Sequence, residues 1–196
     1  MSQEALWDQF LAGDTKAFEI IYKTYIQELF VYGCHFTSDE EMVKDSIQDV
    51  FFNLLNSRKQ LKKTDNIKPY LLVSLKKGIL RKLTKSNKVL ILNVESLPFL
   101  YTLSTKEHLQ ENDAKQRKLL QQALNKLTDR QREAIFLRFV SDCSYDELAE
   151  TLDIGYQESR NLIYRGMKKL RANIDKESLF LFYHFFNRMK LLSFDY

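Results

Sequence analysis

Glycine and proline are scarce: five and two residues among 196. A β-sandwich or barrel needs turn residues at short intervals, so that class is excluded. Long stretches with apolar residues three and four apart point instead to an all-α protein. Cysteine is nearly absent. Cys34 and Cys143 are single, far apart and in no CxxC or Cys/His spacing, so they read as buried or incidental thiols in a reducing cytoplasm. The amino terminus, MSQEALWDQFLAGD, is acidic and has no apolar run, so no signal peptide is expected. The longest apolar stretch, Leu179 to Phe186, is far too short for membrane insertion. Catalytic patterns are lacking as well. There is no glycine-rich phosphate loop and no HExxH, and His35, His108 and His184 are scattered. Nothing resembles a nucleophile beside a base, so neither an enzyme nor a cofactor or metal site is expected.

What is present is an uneven charge distribution beneath a formal net charge of +4. Residues 1–57 hold ten acids against Lys16, Lys23 and Lys44. Residues 58–88 hold eleven Lys or Arg against Asp65 alone, a net of ten positive charges. A solvated helix face seldom needs such an excess, and polyanion binding accounts for it better. The acidic half has two readings: complementarity to a basic partner, or solubility of the unbound chain.

The first half reads as four helices. A short one before Gly13 contributes Leu6, Trp7 and Phe10. Asp14 can cap a second, which carries Ala17, Phe18, Ile21, Tyr22 and Tyr25 on one stripe. Ser38 with Glu41 has the form of a capping box, followed by Val43, Ile47, Val50, Phe51 and Leu54. Pro69 suits the first turn of a fourth helix through Leu71, Leu72, Leu75 and Leu80. From about Ser86 to Gln110 the periodicity fades and Ser96-Leu97-Pro98 breaks any helix, marking a linker over 89–110; Val89 to Leu92 can form a short extended piece.

The second half is sharper. A helix ends near Leu127, and Thr128 with Gln131 forms a capping box opening the next. Ser144 with Glu147 forms another. The turn Asp153-Ile154-Gly155 then leads into a long basic helix from Tyr156 to about Asn173, with Ser159, Ile163, Gly166 and Leu170 facing inward. Two capped helices three residues apart, the second longer and basic, describe a helix-turn-helix. Its outward face carries Gln157, Glu158, Arg160, Asn161, Tyr164, Arg165 and Lys168, with Lys169 and Arg171 beyond. Arg160 can read guanine, Gln157 or Asn161 adenine, and Glu158 cytosine, while the lysines add salt-dependent affinity without sequence information.

Residues 124–171, LNKLTDRQREAIFLRFVSDCSYDELAETLDIGYQESRNLIYRGMKKLR, closely resemble the promoter-binding carboxy-terminal domain of extracytoplasmic-function (ECF) sigma factors of the sigma-70 family. The pieces that carry the likeness are Leu127 to Glu133, Ser144 to Ala149 and Lys168 to Arg171. VKDSIQDVFFNLL, residues 43–55, resembles that family's polymerase-clamp docking helix. The resemblance puts Asp45, Gln48, Asp49, Phe51 and Phe52 on or beside the docking surface. NIKPYLLVSLKKGILRKLTKS, residues 66–86, resembles the helix that binds the non-template strand of the minus-ten element. It implies strand contacts from Lys62, Lys63, Lys68, Tyr70, Lys77, Arg81, Lys82 and Lys85. Tyr70 is equally readable as a core residue beside Leu71 and Leu72.

Departures from the family pattern accompany the likeness. Lys77 and Arg81 stand where members often have Asn and Asp, which makes the strand surface more basic. Ser159 takes an inward position that is usually apolar and can bond back to a carbonyl one turn earlier. Tyr156-Gln157 and Asn161-Leu162 resemble the branch common in Bacteroidetes.

The resemblance thus implies two small helical domains joined by a linker, the second containing a helix-turn-helix. Residues 1–88 would bind the polymerase clamp and minus-ten strand, 89–110 would thread toward the active-site cleft, and 111–173 would bind the minus-thirty-five element. Residues 174–196 form an aromatic helix outside the family core, readable as packing on its own domain, docking an anti-sigma factor, or contacting a membrane surface. The partners implied are bacterial core RNA polymerase, duplex promoter DNA and its melted non-template strand, with an anti-sigma factor as a further candidate. A standalone helix-turn-helix regulator and a helical module binding RNA or acidic partners are the rival readings.

Overall fold

The computed structural model describes residues 2–86 and 111–174, with side chains described from residue 118 in the second stretch. The expected linker at 89–110, its extended piece, and the tail beyond Ile174 lie outside the described residues. The chain divides into two compact units, Met1–Leu92 and Asn93–Tyr196. The described residues of both are helical and contain no strand.

In the first unit α1 spans Gln3–Ala12, α2 Thr15–Cys34, α3 Glu40–Asn56 and α4 Ile67–Lys85, with a 3-10 turn at Arg58–Gln60. Gly13 ends α1 in the left-handed region, φ 105°, a conformation that costs glycine little. Asp14 caps α2 as expected, its Oδ1 accepting from Lys16 N at 2.8 Å and Ala17 N at 3.4 Å. The Ser38–Glu41 capping box does not form. Asp39 is the cap of α3, with Oδ1 accepting from Met42 N at 3.1 Å, and Glu41 instead pairs with Lys44 at 2.7 Å. Both positions offer a capping oxygen, and the chain begins the helix one residue later.

Trp7, Phe10, Ile21, Leu29, Val43, Leu54, Leu71, Leu72, Leu75 and Ile79 make up much of this core. Their spacing puts them on one stripe of each helix, and burying those stripes against one another drives the packing. Helices α2 and α3 approach closely at Gly33, where an added Cβ would stand 2.5 Å from Val43 Cγ1. The two helices can meet at that distance only because this position has no side chain.

In the second unit α5 spans Glu111–Asn125, α6 Asp129–Phe139, α7 Tyr145–Leu152 and α8 Tyr156–Arg171. Both expected capping boxes form, at Thr128/Gln131 and at Ser144/Glu147. Asp153 closes α7 with φ 53°. Aspartate tolerates that conformation better than most side chains. The sharp turn through Ile154 and Gly155 follows, and α8 packs across α6, with Gly166 against Ile135.

Candidate nucleic-acid interface

Helix α8 starts at the cap Gly155 and turns Ser159, Ile163, Gly166 and Leu170 inward, together with Met167. That leaves Gln157, Glu158, Arg160, Asn161, Tyr164, Arg165 and Lys168 on the exposed side, with Lys169 and Arg171. Tyr164 is 66% exposed, unusual for a ring with no partner to cover it. The face is partly ordered: Gln157 Nε2 donates to Asn161 Oδ1 at 3.4 Å, and Arg165 Nε donates to Asn161 O at 3.3 Å.

Fully buried Ser159 lies 2.7 Å from Tyr156 O and 3.1 Å from Tyr145 O. One hydroxyl proton is shared between the two carbonyls, so the residue bonds back along α8, as expected, and also ties α8 to the start of α7. A polar residue is thereby accommodated at a usually apolar position.

Tyr145, at the start of α7, collects aromatic and cationic neighbours. Its ring meets Tyr156 edge-on at 6.2 Å, with the guanidinium carbons of Arg138 and Arg160 at 5.0 Å and 6.0 Å. Arg138 is further held by donating to Cys143 O at 2.6 Å. In the sequence Tyr145 stands out only as a member of the family-like stretch Ser144 to Ala149, and the cluster is not legible there, since residues 138, 145 and 160 share no local pattern.

Within the basic segment, exposed and paired cations can be told apart. Lys77, Arg81 and Lys85 recur every four residues along one exposed stripe of α4, and Lys62 is exposed in the loop before it. Three other lysines are paired with carboxylates of the acidic half: Lys63 with Asp8 at 2.8 Å, Lys68 with Glu28 at 3.2 Å and Lys82 with Asp49 at 2.9 Å. The Asp8 carboxylate also holds the Lys63 ammonium above its usual pKa range, chiefly by hydrogen bonding. These pairs give the acidic half a role that neither reading of the sequence anticipated: it neutralises part of its own basic segment. Trp7 Nε1 donates to Lys62 O at 3.0 Å, anchoring the loop, and the half-buried Tyr70 ring packs 5.8 Å from that of Trp7.

On α3, Gln48 and Asp49 lie three and four residues after Asp45, and Phe52 lies four and three after them, so the four share one face; all are exposed, Phe52 by 65%. Leu55, 44% exposed, extends the stripe and was not anticipated. Phe51 turns the other way, into the core, meeting Tyr22 edge-on at 4.8 Å. It can support the stripe but not present itself on it.

The family described as "Sigma-70, region 4" matches residues 117–170, which hold α6, α7 and nearly all of α8. The likeness extends well beyond that unit. "RNA polymerase sigma factor SigV" of Bacillus subtilis (strain 168) is 24% identical over 153 residues, covering 78% of this chain and 88% of the relative. "ECF RNA polymerase sigma factor SigX" of the same organism is 23% identical over 164 residues, covering 82% of this chain and 84% of the relative. Over about four-fifths of its length the chain is thus similar to ECF sigma factors of the sigma-70 family.

Solved structures agree with this chain in fold. The structure of CnrH with the cytosolic domain of CnrY has a TM-score of 0.58 at 17% identity, covering 87% of this chain and 95% of that one. The sigma factor RpoE with the anti-sigma factor NepR, from Bartonella quintana, has a TM-score of 0.57 at 20% identity, covering 81% and 96%. Likeness to sigma factors over about four-fifths of the chain, rather than over the helix-turn-helix alone, supports the sigma-factor reading over the standalone-regulator one. Among its described residues no helix is long and apolar enough to cross a membrane, and no group of three or more His, Cys, Asp or Glu could hold a metal ion.

Proposed function

We propose that this chain is an ECF sigma factor of the sigma-70 family: it binds bacterial core RNA polymerase in the cytoplasm, directs it to specific promoters and assists melting, with catalysis left to the polymerase. The observation that carries this reading is the pairing, within one chain matched by sigma factors over most of its length, of two separate cationic helical faces. One is the Lys77, Arg81 and Lys85 stripe; the other is the exposed side of α8. A stripe of cations on a helix suits the phosphates of a separated strand. A protruding capped helix with Arg, Asn and Gln suits the edges of intact base pairs.

In this reading residues 1–88 are the region 2-like domain, 111–173 the region 4-like domain, and 89–110 the linker that would reach toward the polymerase active-site cleft and RNA exit path. Lys62, Lys63, Lys68, Tyr70, Lys77, Arg81, Lys82 and Lys85 serve the minus-ten strand. Gln157, Glu158, Arg160, Asn161, Tyr164, Arg165 and Lys168 serve the minus-thirty-five element. Asp45, Gln48, Asp49 and Phe52 form the clamp-docking stripe, an apolar ring flanked by acids that complements a basic surface. Lys63, Lys68 and Lys82 contribute most once their carboxylate partners are drawn elsewhere. An anti-sigma factor is a candidate regulator, since RpoE has been solved with one, and residues 174–196 are a candidate contact for it. The Tyr156-Gln157 and Asn161-Leu162 pairs support a Bacteroidetes-like branch.

The test is in vitro transcription by core polymerase with and without the purified chain on a pool of genomic promoters. Enrichment of transcripts sharing an upstream element is expected. A transcript profile unchanged by the chain refutes the reading.

A further inference from the structure

Arg160 is the residue of α8 best suited to pair with guanine, yet it lies on the same ring as a second cation. Two guanidinium groups near one small ring repel each other unless something offsets the charge, and an aromatic face does so through its quadrupole. That ring is Tyr145. Arg138 Cζ stands 5.0 Å and Arg160 Cζ 6.0 Å from its centroid. Its surroundings fix it from several directions. Ser144 caps its helix, the Ser159 hydroxyl reaches its carbonyl at 3.1 Å, and the Tyr156 ring meets its edge at 6.2 Å. Arg138 is tethered by its 2.6 Å bond to Cys143 O. Arg160, by contrast, belongs to the exposed face, where a long side chain otherwise samples many rotamers.

We propose that Tyr145 is a positioning residue for Arg160: its ring holds the guanidinium over the start of α8 and restricts which base pair it can reach. Tyr145 then shapes promoter specificity without touching a base itself. The inference rests on Arg160 reading a base, as set out under Proposed function. It differs from a packing role, because leucine can fill a half-buried apolar site but offers no aromatic face. It also differs from a phosphate contact by the tyrosine hydroxyl, because phenylalanine keeps the face and loses the hydroxyl.

The experiment uses the full chain bound to core polymerase and a promoter library randomised across the upstream element, reading relative preference at each position. Arg160→Ala is expected to flatten preference at one guanine-containing pair. Tyr145→Leu should reduce preference at that same pair by about two- to fivefold, the range an exposed cation–π contact supplies. Tyr145→Phe should preserve it, and Tyr145→Leu should add nothing once Arg160 is alanine. If Arg160→Ala leaves every position unchanged, the base-reading assignment fails and this inference with it. If Arg160→Ala flattens one position while Tyr145→Leu does not, or lowers binding uniformly, the inference alone fails. Should the leucine variant not fold, NMR of the unaltered protein decides: the Arg160 δ protons should be shifted upfield by the ring, and unshifted protons overturn the proposal.

Discussion

Eight residues of the basic segment are assigned to the separated strand, but their surroundings predict unequal contributions. Lys77, Arg81 and Lys85 form an exposed stripe without an ion pair to a described residue, whereas Lys68 is only 16% exposed and sits 3.2 Å from Glu28. Affinity for a single strand falls with salt at a log–log slope of roughly 0.7 per phosphate neutralised. Replacing the three stripe residues with glutamine should therefore reduce the slope by about 2. Raising salt fourfold would then cost the variant about 18-fold less affinity than the unaltered protein. Lys68→Gln should leave the slope nearly unchanged, because its charge is already offset internally. It should instead lower the Tm of the first unit by a few degrees, reflecting of order 1 kcal/mol lost with a half-buried pair. The assay is fluorescence anisotropy of a labelled non-template oligonucleotide against the polymerase-bound chain across a salt series. If Lys68→Gln reduces the slope as much as Lys77→Gln does, or the triple variant leaves it unchanged, the division into exposed and paired cations is refuted.

Other consequences are equally direct. Gly33→Ala should destabilise the first unit by up to about 2 kcal/mol in denaturant unfolding, since overpacking costs about 1–3 kcal/mol and helix propensity returns about 1; Val43→Ala should relieve part of the loss. Asp49→Lys removes the partner of Lys82 and reverses a charge on the docking stripe. It should weaken polymerase binding in a pull-down titration while leaving DNA binding by the helix-turn-helix unit unchanged. The Cys34 thiol is pushed up to about 11, first by burial and then by Glu40, with Lys44 opposing. A raised folded-state value means stability is retained below the ordinary thiol range, near pH 9, and declines as pH rises toward about 11. Iodoacetamide at pH 8 should accordingly modify Cys34 more slowly than a model thiol; equal rates contradict this.

The helix-turn-helix was legible because its signals are local. Capping boxes at Thr128 and Ser144, the Asp153-Ile154-Gly155 turn and the inward spacing of α8 all lie within a few residues of what they control. The start of α3 was misplaced by one residue, because Ser38 and Asp39 are both competent caps and tertiary packing selects between them. Met167 and Leu55 went unnoticed for a related reason: at the edge of an apolar stripe, small rotations decide which residue is covered. Least legible were the pairs of Lys63 with Asp8, Lys68 with Glu28 and Lys82 with Asp49, each joining residues at least 33 positions apart. The ring of Tyr145 shared by Arg138 and Arg160 was hidden likewise. Contacts of this kind arise from the crossing of helices and have no period in the chain.

The most direct test of the account is to compare promoter binding by the chain alone with binding by the chain bound to core polymerase, under the same salt conditions. Specific binding should emerge, together with strand separation at the minus-ten element reported by a fluorescent base analogue, only when the polymerase is present. Tight, sequence-specific binding by the isolated chain, or failure to form a complex with the polymerase, would contradict it.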